Sequence, residues 1–522
     1  MPRSTQYDCV IIGGGHNGLV CAAYLARAGR KVCVLERRAI LGGCASTEEL
    51  WPGFRVSPAA YVISLFLPRI TSDLKLKDNG LVVLPRNPSS FTPLPDGRHL
   101  LLGPDTAKNQ AEIGKFSAKD AQQYPKYEAM LTRLAHEIEP LLMSPPPHLP
   151  PRLRDIPKLW GYMRLVKKLG PAFPDAVELL TGAATPILHR WFESEALKAT
   201  LATDAIIGAF ASPSMPGTAY VLLHHVMGEA GGARGVWGYV KGGMGGLADA
   251  LERSCLQFGV TIRREAAVKQ INIHNSQTSG VTLETGEVID ARGVASSLDA
   301  NVTFRMFIEA RSLPEEMTAP LDRIDYSSAS CKINLALDAL PDFNTNEIPR
   351  EIALRGTTHI APTLEHIERA YDDAKYGEPS REPVLEITMP TTVDSTLAPP
   401  GKHLMSMFVQ YAPYKLRDGE WTEAKKDAFA DRCIDLLARY APNIRNIILH
   451  RQVLTPVDLE RVYGLTGGNI FQGAMHLHQL GPLRQGYTTP IRGLFMCGAA
   501  THPGGGVMGA CGLNAAGAIL KA

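Results

Sequence analysis

The chain lacks an excess of charge of one sign, a long apolar run and a recognisable export signal. Its 522 residues include 54 Lys and Arg against 52 Asp and Glu, a balance that argues against nucleic acid as a partner. No segment reaches the roughly 18 uncharged apolar residues of a membrane-spanning helix, and the first residues lack the apolar core of a signal peptide. We therefore expect a cytoplasmic protein; the alternatives are a mitochondrial location in a eukaryote or a membrane-peripheral one.

Motifs of paired cysteines and of metal ligands are also missing. No two of the nine cysteines form a C-x-x-C pair, and Cys9, Cys33 and Cys497 lie inside apolar runs, where a thiol behaves as a small hydrophobe. This pattern argues against a redox-active disulfide and favours a reducing compartment. No spacing typical of metal ligands occurs, so no metal cofactor is predicted.

A β-α-β unit at the N-terminus is the first positive feature. The pattern predicts a buried strand over 7–12, a helix over 18–28 and a second strand over 31–35, hence a parallel sheet. A G-x-G-x-x-G motif joins the first strand to the helix, and a carboxylate ends the second strand. The residues predicted to bind a dinucleotide here are Gly13, Gly15, His16, Asn17, Gly18 and Glu36.

Each position of this motif has a physical reason. The first glycine permits the tight turn, the second lets the backbone approach a pyrophosphate, and the third lets helix and strand pack closely. Glu36 can accept a hydrogen bond from a ribose 2′-hydroxyl and repels a 2′-phosphate, which disfavours NADP.

The motif continues through Arg37 and Arg38 to the glycine pair Gly42-Gly43. The whole segment 10–43 resembles the flavoprotein signature of the amine oxidase and phytoene desaturase superfamily, in which the glycine pair lets the backbone pass close to the FAD phosphates. That family often has Arg after the pair, whereas this chain has Cys44. The resemblance implies FAD as the cofactor, with Arg37 or Arg38 supplying positive charge.

A second Gly-rich motif lies near the C-terminus, at 493–512. It resembles the C-terminal FAD motif of phytoene desaturases, in which a strand ends in a glycine and Thr-His-Pro-Gly follows. A helix N-terminus with little side-chain bulk can approach the flavin, and its dipole suits the negative charge of a reduced flavin. We therefore expect a helix to begin inside this motif, with Gly498 and Gly509 at the cofactor.

The block 241–298 resembles the family's second FAD segment, in which the residue matching Val268 touches adenine through its backbone. A narrower likeness, to the subfamily of pyridine nucleotide-disulfide oxidoreductase domain-containing protein 2 and its bacterial relatives, covers nearly the whole chain, including 52–57 and 87–93. No second G-x-G-x-x-G stands between a strand and a helix from 100 to 480. An NAD(P)-independent flavoprotein is therefore predicted.

The predicted fold class is α/β: a discontinuous Rossmann-like FAD-binding domain with a mixed-sheet substrate domain and a helical insertion. The FAD-binding domain is assigned to 1–104, 236–300 and 481–522, the helical substrate cap to 105–235 and the substrate domain to 301–480. Because the insertion interrupts one cofactor site, we expect it to cover the flavin with a largely apolar cavity.

Few residues suggest catalysis, since flavin oxidation often needs only positioning of the substrate. His502, inside the C-terminal motif, and Tyr61 are the candidates for contact with flavin or substrate; the alternative for His502 is a structural cap. His224-His225 is a weaker candidate, because adjacent residues of a helix face different sides.

The segment 158–169 is basic and amphipathic. Such a helix could rest on an anionic membrane and reach a lipid-soluble substrate; the alternatives are an exposed lid helix and a contact in a homo-oligomer.

Three functions remain open from the sequence. The first is an FAD-dependent oxidoreductase that transfers a hydride from a small, apolar, lipid- or polyene-like substrate to flavin N5. The second is an amine oxidase, and the third is a flavin-binding regulatory protein with little catalysis. An apolar tunnel would favour the first, an aromatic cage facing the flavin the second, and a pocket closed off from the flavin the third.

Overall fold

The computed structural model describes residues 6–230, 233–234, 236–343 and 348–522. The described chain forms two seven-stranded sheets and three two-stranded ones. Its strands are β1 (Tyr7–Ile12), β2 (Val32–Leu35), β3 (Glu48–Trp51), β4 (Phe54–Val56), β5 (Val83–Pro85), β6 (Ser90–Pro93), β7 (His99–Leu102), β8 (Glu229–Ala230), β9 (Ala233–Arg234), β10 (Gly238–Val240), β11 (Thr261–Arg263), β12 (Val268–His274), β13 (Gln277–Leu283), β14 (Val288–Ser296), β15 (Ser330–Leu337), β16 (Thr357–Ile360), β17 (Val384–Thr388), β18 (His403–Gln410), β19 (Ile448–Leu454) and β20 (Leu494–Met496).

Helices cover the sheets and form most of the segment between β7 and β8. They are α1 (His16–Arg27), α2 (Pro68–Asp73), α3 (Thr106–Gly114), α4 (Ala118–Leu142), α5 (Ile156–Leu169), α6 (Phe173–Thr181), α7 (Ala184–Trp191), α8 (Glu195–Ile206), α9 (Thr218–Val226), α10 (Gly245–Gln257), α11 (Thr318–Asp322), α12 (Arg350–Ala353), α13 (Leu364–Lys375), α14 (Glu423–Ala438), α15 (Ile444–Ile447), α16 (Pro456–Tyr463) and α17 (Ala510–Ile519). Within the described residues, no helix combines the length and the apolar character needed to cross a membrane.

The first sheet has the order β11-β2-β1-β14-β13-β12, with β20 paired to β14. Strands β11, β2, β1, β14 and β20 run parallel, while β13 and β12 are antiparallel to their neighbours. These strands come from three separate parts of the chain, which confirms the discontinuous Rossmann-like architecture.

The first sheet is covered on both faces, as a parallel sheet must be. Cys9 and Ile11 of β1 belong to the core that α1, α10 and α17 share, whereas Val10 and Ile12 pack into a second core with Phe304. The alternation of side chains along a strand explains why one buried run serves two cores.

The second sheet has the order β19-β15-β18-β17-β16-β6-β7 and is antiparallel except between β16 and β6. Strands β6 and β7 therefore belong to the second sheet, although the boundary at 104 assigned them to the FAD-binding domain. That assignment was wrong. The residues of a hairpin do not specify which sheet it extends, because this depends on the sheet edge against which the hairpin packs.

The helical insertion consists of α3 to α9, followed by the small hairpin β8-β9. It packs against the second sheet, where the Thr203 hydroxyl of α8 lies 3.1 Å from Nδ1 of His359 on β16. It also packs against the chain after β20, where His502 Nε2 lies 2.9 Å from the Leu141 carbonyl oxygen of α4. The insertion thus covers the space between the sheets, and this position defines the candidate site.

Candidate active site

One cavity of about 700 Å³ lies between the first sheet, the second sheet and the helical insertion. Its wall includes the ends of β1 and β2, helices α4, α8 and α9, and strands β15, β16, β17 and β18. Residues of both cofactor motifs and of the helical insertion therefore face one continuous space.

Most residues predicted to bind the dinucleotide line this cavity. These are Gly13, Gly15, His16, Asn17, Glu36, Arg37, Gly42, Gly43 and Val268. Gly18 lies just outside the wall, where a Cβ would stand 2.2 Å from the Gly13 carbonyl oxygen. Its role is the close packing of helix on strand that the motif requires.

The structure gives a physical test of whether a dinucleotide fits here. Helix α1 begins at His16 after the N-cap Gly15, without a side-chain cap and without an acidic residue in its first turn, so its N-terminal N–H groups face the cavity. A Cβ on Gly15 would meet only the Gly42 carbonyl oxygen, at 4.0 Å, which leaves room for a phosphate. An anionic pyrophosphate fits this end of the cavity.

Glu36 is buried at the end of β2 with both carboxylate oxygens held in place. Gly14 N–H donates to Oε2 at 2.8 Å and Arg38 N–H donates to Oε1 at 2.9 Å. Each oxygen keeps a further lone pair, so the carboxylate can also accept a ribose hydroxyl.

The predicted positive charges are partly engaged elsewhere. Arg37 Nη2 donates to the Val462 carbonyl at 2.6 Å, at the end of α16, and Arg38 donates to Glu48 at 2.7 Å. Burial lowers the pKa of His16 to about 4, so its ring is neutral at pH 7. The phosphates would therefore depend mainly on backbone N–H groups.

The C-terminal motif differs from the expectation in one respect, since Gly498 and Gly509 do not line the cavity. Helix α17 begins at Ala510, inside the motif, and the loop before it supplies Gly505, Gly506 and Val507 to the cavity wall. Gly498 and Gly509, by contrast, serve packing. A Cβ on the first would lie 2.1 Å from the Ser297 carbonyl oxygen, and one on the second 2.7 Å from Ile70 Cδ1.

The two catalytic candidates separate in the structure. Tyr61 lines the cavity, whereas His502 does not; its Nε2 lies 2.9 Å from the Leu141 carbonyl oxygen at the end of α4. This contact supports the structural alternative for His502. The sequence could not indicate this contact, because the hydrogen-bond partner of His502 lies on a helix that is distant in the sequence.

Both members of the pair His224-His225 line the cavity. His224 Nε2 lies 3.1 Å from the Gly505 carbonyl oxygen, which ties α9 to the C-terminal loop. His225 Nδ1 lies 2.8 Å from the Asp204 carbonyl oxygen. His224 therefore ties the insertion to the loop, and His225 joins α9 to α8 within the insertion.

A polar row on the second sheet went unrecognised in the sequence. Lys332 and Glu386 both pair with Phe408 of β18, and His359 pairs with Glu386, so the four side chains form one row across β15, β18, β17 and β16 and line the cavity. The signal in the sequence was a lysine, histidine or glutamate inside each of three buried strands, such as Lys332 in the fully buried β15. These residues come together at the cavity only when the strands pair.

Contacts within this row are specific. Lys332 Nζ donates to Ser406 Oγ at 2.6 Å and stands 3.8 Å from the centre of the Tyr61 ring. The Tyr61 hydroxyl lies 3.5 Å from Glu386 Oε2. Glu386 Oε1 has no hydrogen-bond partner among the described residues and lies 3.7 Å from His359 Nδ1.

Burial shifts the titration of the row toward neutral forms. It lowers the pKa of Lys332 to about 7 and the pKa of His359 to about 3. Burial, assisted by the nearby Asp204, raises the pKa of Glu386 to about 8. At neutral pH the cavity therefore holds a lysine that is near its midpoint and a carboxyl group that keeps its proton.

A buried arginine supports the C-terminal loop from behind. Arg484 Nη2 donates to the carbonyl oxygens of Phe471 at 2.6 Å and Ala499 at 2.8 Å, and Nη1 donates to Ala474 at 3.1 Å. It fixes the loop mainly through backbone carbonyl groups, with a further contact from Nη1 to Met475 Sδ at 3.7 Å, and no side-chain motif in the sequence would show this role.

Comparison with known proteins identifies the architecture. The family model described as flavin containing amine oxidoreductase matches residues 18–520, nearly the whole chain, including the glycine pair 42–43 and the C-terminal motif. The chain belongs to the flavin-containing amine oxidoreductase family.

Individual relatives agree with this assignment. Pyridine nucleotide-disulfide oxidoreductase domain-containing protein 2 from Rattus norvegicus is 44% identical, over 99% of this chain and 94% of that protein. Phytoene desaturase (lycopene-forming) from Pseudescherichia vulneris is 24% identical over 96% of each. The structure of putrescine oxidase bound to putrescine shares the fold, with a TM-score of 0.61 at 16% identity, over 99% of this chain and 100% of that one.

The resemblance to phytoene desaturases and to the narrower subfamily is thus confirmed. This flavin-containing amine oxidoreductase is an FAD-dependent enzyme, and the cavity shows where its own residues would hold the cofactor. The end formed by β1, α1 and β2 would hold the adenosine and pyrophosphate half, and the flavin half would occupy the rest of the cavity, which the loop 505–507 and the polar row also line.

Proposed function

We propose that the enzyme removes a hydride and a proton from a small, largely apolar, lipid- or polyene-like substrate. The observation that carries this proposal is the shared cavity, in which the helical insertion faces the residues that fit FAD. Bound FAD supplies the hydride acceptor at N5. Since the cavity is continuous with the cofactor motifs, the geometry speaks against a flavin-binding protein without catalysis.

The wall that the insertion contributes supports an apolar substrate body. It presents mainly aromatic and aliphatic side chains, namely Tyr124, Tyr127, Leu131, Leu201, Ile207, Leu222 and Val226. Its acidic members are Glu128 and Asp204, and Asp204 directly follows Thr203, the partner of His359. Apolar and polar walls of this kind suit a substrate with an apolar body and one hydrogen-bonding group.

Lys332 is the group best placed to take the proton. Its amine is buried, holds one hydrogen bond to Ser406 and has a pKa of about 7, so a neutral fraction exists at physiological pH. A base with a pKa near the working pH combines availability with driving force. In this scheme a substrate C–H, O–H or N–H bond gives its proton to Nζ while a hydride leaves the substrate carbon.

Amine oxidation is the second candidate, and one feature favours it. Glu386 has a buried oxygen without a hydrogen-bond partner among the described residues, and Asp204 is close enough to raise its pKa. The free Glu386 oxygen could accept a hydrogen bond from the ammonium group of an amine substrate.

Anaerobic mixing of the FAD-loaded enzyme with a substrate panel tests the proposal. The panel holds a linear polyene, a long-chain alcohol, a long-chain amine of equal length and putrescine. We expect the polyene or the alcohol to bleach the flavin, because the insertion offers an apolar wall, and putrescine to leave it oxidised. Bleaching by the two amines alone would reject the apolar-substrate proposal in favour of amine oxidation.

The nicotinamide coenzymes are expected to reduce the flavin slowly or not at all. The sequence holds one dinucleotide motif at the N-terminus and no C-x-x-C pair, so it has neither the second nucleotide site nor the dithiol of a disulfide reductase. Stopped-flow absorbance after mixing with NADH or NADPH measures this. Rapid stoichiometric bleaching at micromolar coenzyme would contradict it.

A further inference from the structure

We propose that helix α5 and its flanks bind the surface of an anionic membrane. Of the nineteen large hydrophobic side chains that are exposed in the described chain, nine lie between residues 149 and 177. Exposed apolar groups scattered singly are normal, but a contiguous cluster marks an interaction surface. We call this cluster the α5 surface; its members are Leu149, Leu153, Ile156, Leu159, Trp160, Met163, Val166, Phe173 and Val177.

The periodicity of α5 places its apolar residues on the outward side. Ile156, Trp160 and Met163 follow one another at spacings of four and three and thus share one face; their exposures are 46%, 58% and 64%. The opposite side packs inward, since Leu169 is buried in the core and Lys168 pairs with Glu137 of α4 at 2.7 Å. The helix therefore turns its apolar face to solvent while it is anchored from behind.

Basic residues accompany this apolar face. Six Lys and Arg and one acidic residue lie between 152 and 168, and Arg164 and Lys167 are exposed. Apolar side chains with a tryptophan on one face and basic residues beside them are the pattern of a helix that lies in a membrane interface. Lys and Arg near anionic lipids add attraction, and their long stems let the charged ends reach the headgroups.

The positive charge of the α5 surface favours an anionic membrane over a second copy of the chain as its partner. Symmetric pairing of two α5 surfaces would bring two sets of the same basic residues together, and like charges at short range repel. An anionic lipid surface instead complements them.

The α5 surface also has a geometric relation to the cavity. Helix α5 packs on α4, and α4 carries Tyr127 and Leu131 on the cavity wall. A membrane bound at α5 would lie against the insertion that covers the cavity. The membrane contact itself does not depend on the reaction, so it can fail while the proposed function holds.

Vesicle flotation with the full-length holoenzyme tests the proposal. The probes are vesicles of phosphatidylcholine alone and of phosphatidylcholine mixed with phosphatidylglycerol. We expect binding to the anionic vesicles that weakens as salt is raised. Trp160→Ser combined with Met163→Ser should reduce the partition coefficient by about tenfold or more, and Arg164→Glu with Lys167→Glu should do so on anionic vesicles alone.

The matched control is Leu477→Ser with Leu483→Ser, two leucines that are each 53% exposed and lie far along the chain. It should bind vesicles as the unmodified enzyme does. The proposal is overturned if the holoenzyme floats with neither vesicle, or if the α5 variants bind like the control. It is also overturned if light scattering shows a dimer that only the α5 variants dissociate, because a second copy would then be the partner.

Discussion

Replacing Glu36 with Ala should weaken FAD binding by roughly 1.5–3 kcal/mol, the value of a charge-assisted hydrogen bond. The carboxylate is fixed by Gly14 N–H and Arg38 N–H, so it is preorganised to accept from the ribose. A loss of binding free energy of this size corresponds to roughly a 10- to 150-fold rise in the Kd for FAD. Titration of the apoprotein with FAD, followed by flavin fluorescence, measures the change.

ADP provides the internal control for this prediction. It carries the adenosine ribose but no flavin, so its affinity should fall by the same factor. Glu309→Ala, at an exposed carboxylate paired with Arg311, should change neither affinity. If Glu36→Ala left ADP binding intact, the ribose would not lie at Glu36 and the assignment of the cavity ends would be wrong.

Replacing Lys332 with Met should slow flavin reduction by about 10²–10⁴-fold, the usual contribution of a positioned proton acceptor. In the unmodified enzyme the rate should rise with pH through about 7, where Nζ loses its proton. The variant should lose this rise, and Lys332→Arg should be slow at every pH, because a guanidinium stays charged. Stopped-flow flavin reduction across pH measures all three.

The same substitution should leave the fold intact or stabilise it. Burial lowers the pKa of Lys332 from its ordinary value of 10.5 to about 7, so between these values the unfolded chain binds more protons than the folded one. The resulting destabilisation is complete below pH 7 and fades as the pH rises toward 10.5. Lys332→Met should therefore raise the free energy of unfolding by about 1–4 kcal/mol below pH 7, and this gain should shrink at alkaline pH.

A second buried lysine gives the matched control. Lys198 is 5% exposed and pairs with Glu195 at 2.6 Å, yet it does not line the cavity. Lys198→Met should leave the rate of flavin reduction and its pH profile unchanged. If the Lys332→Met enzyme kept the normal dependence of rate on pH, another group would accept the proton and the role of Lys332 would be structural.

The cofactor half of the site could be predicted because its information is local. Gly13, Gly15 and Glu36 sit in one β-α-β unit, whose strand and helix periods fix where the turn and the carboxylate lie. The structure places all three on the cavity wall. The start of α17 was less predictable, since a Gly-rich stretch permits several loop conformations and only packing chooses among them.

The assignment of 90–102 failed for a related reason. The hairpin β6-β7 has an apolar pattern that suits either sheet, and its parallel pairing with β16 joins residues more than two hundred positions apart. Such a pairing depends on which edge is free when the domains pack.

By itself the sequence determined the cofactor, the α/β class and the split of the FAD-binding domain, because those features depend on short motifs with fixed backbone requirements. The tertiary structure decided the chemistry at the substrate end. Lys332, Glu386 and His359 come from three strands, and the antiparallel register of the second sheet aligns them into one row. The same packing turned His502 toward α4 and left Tyr61 at the cavity. Strand register and burial decide which side chains become neighbours across a sheet. Neither depends only on the residues adjacent in the sequence.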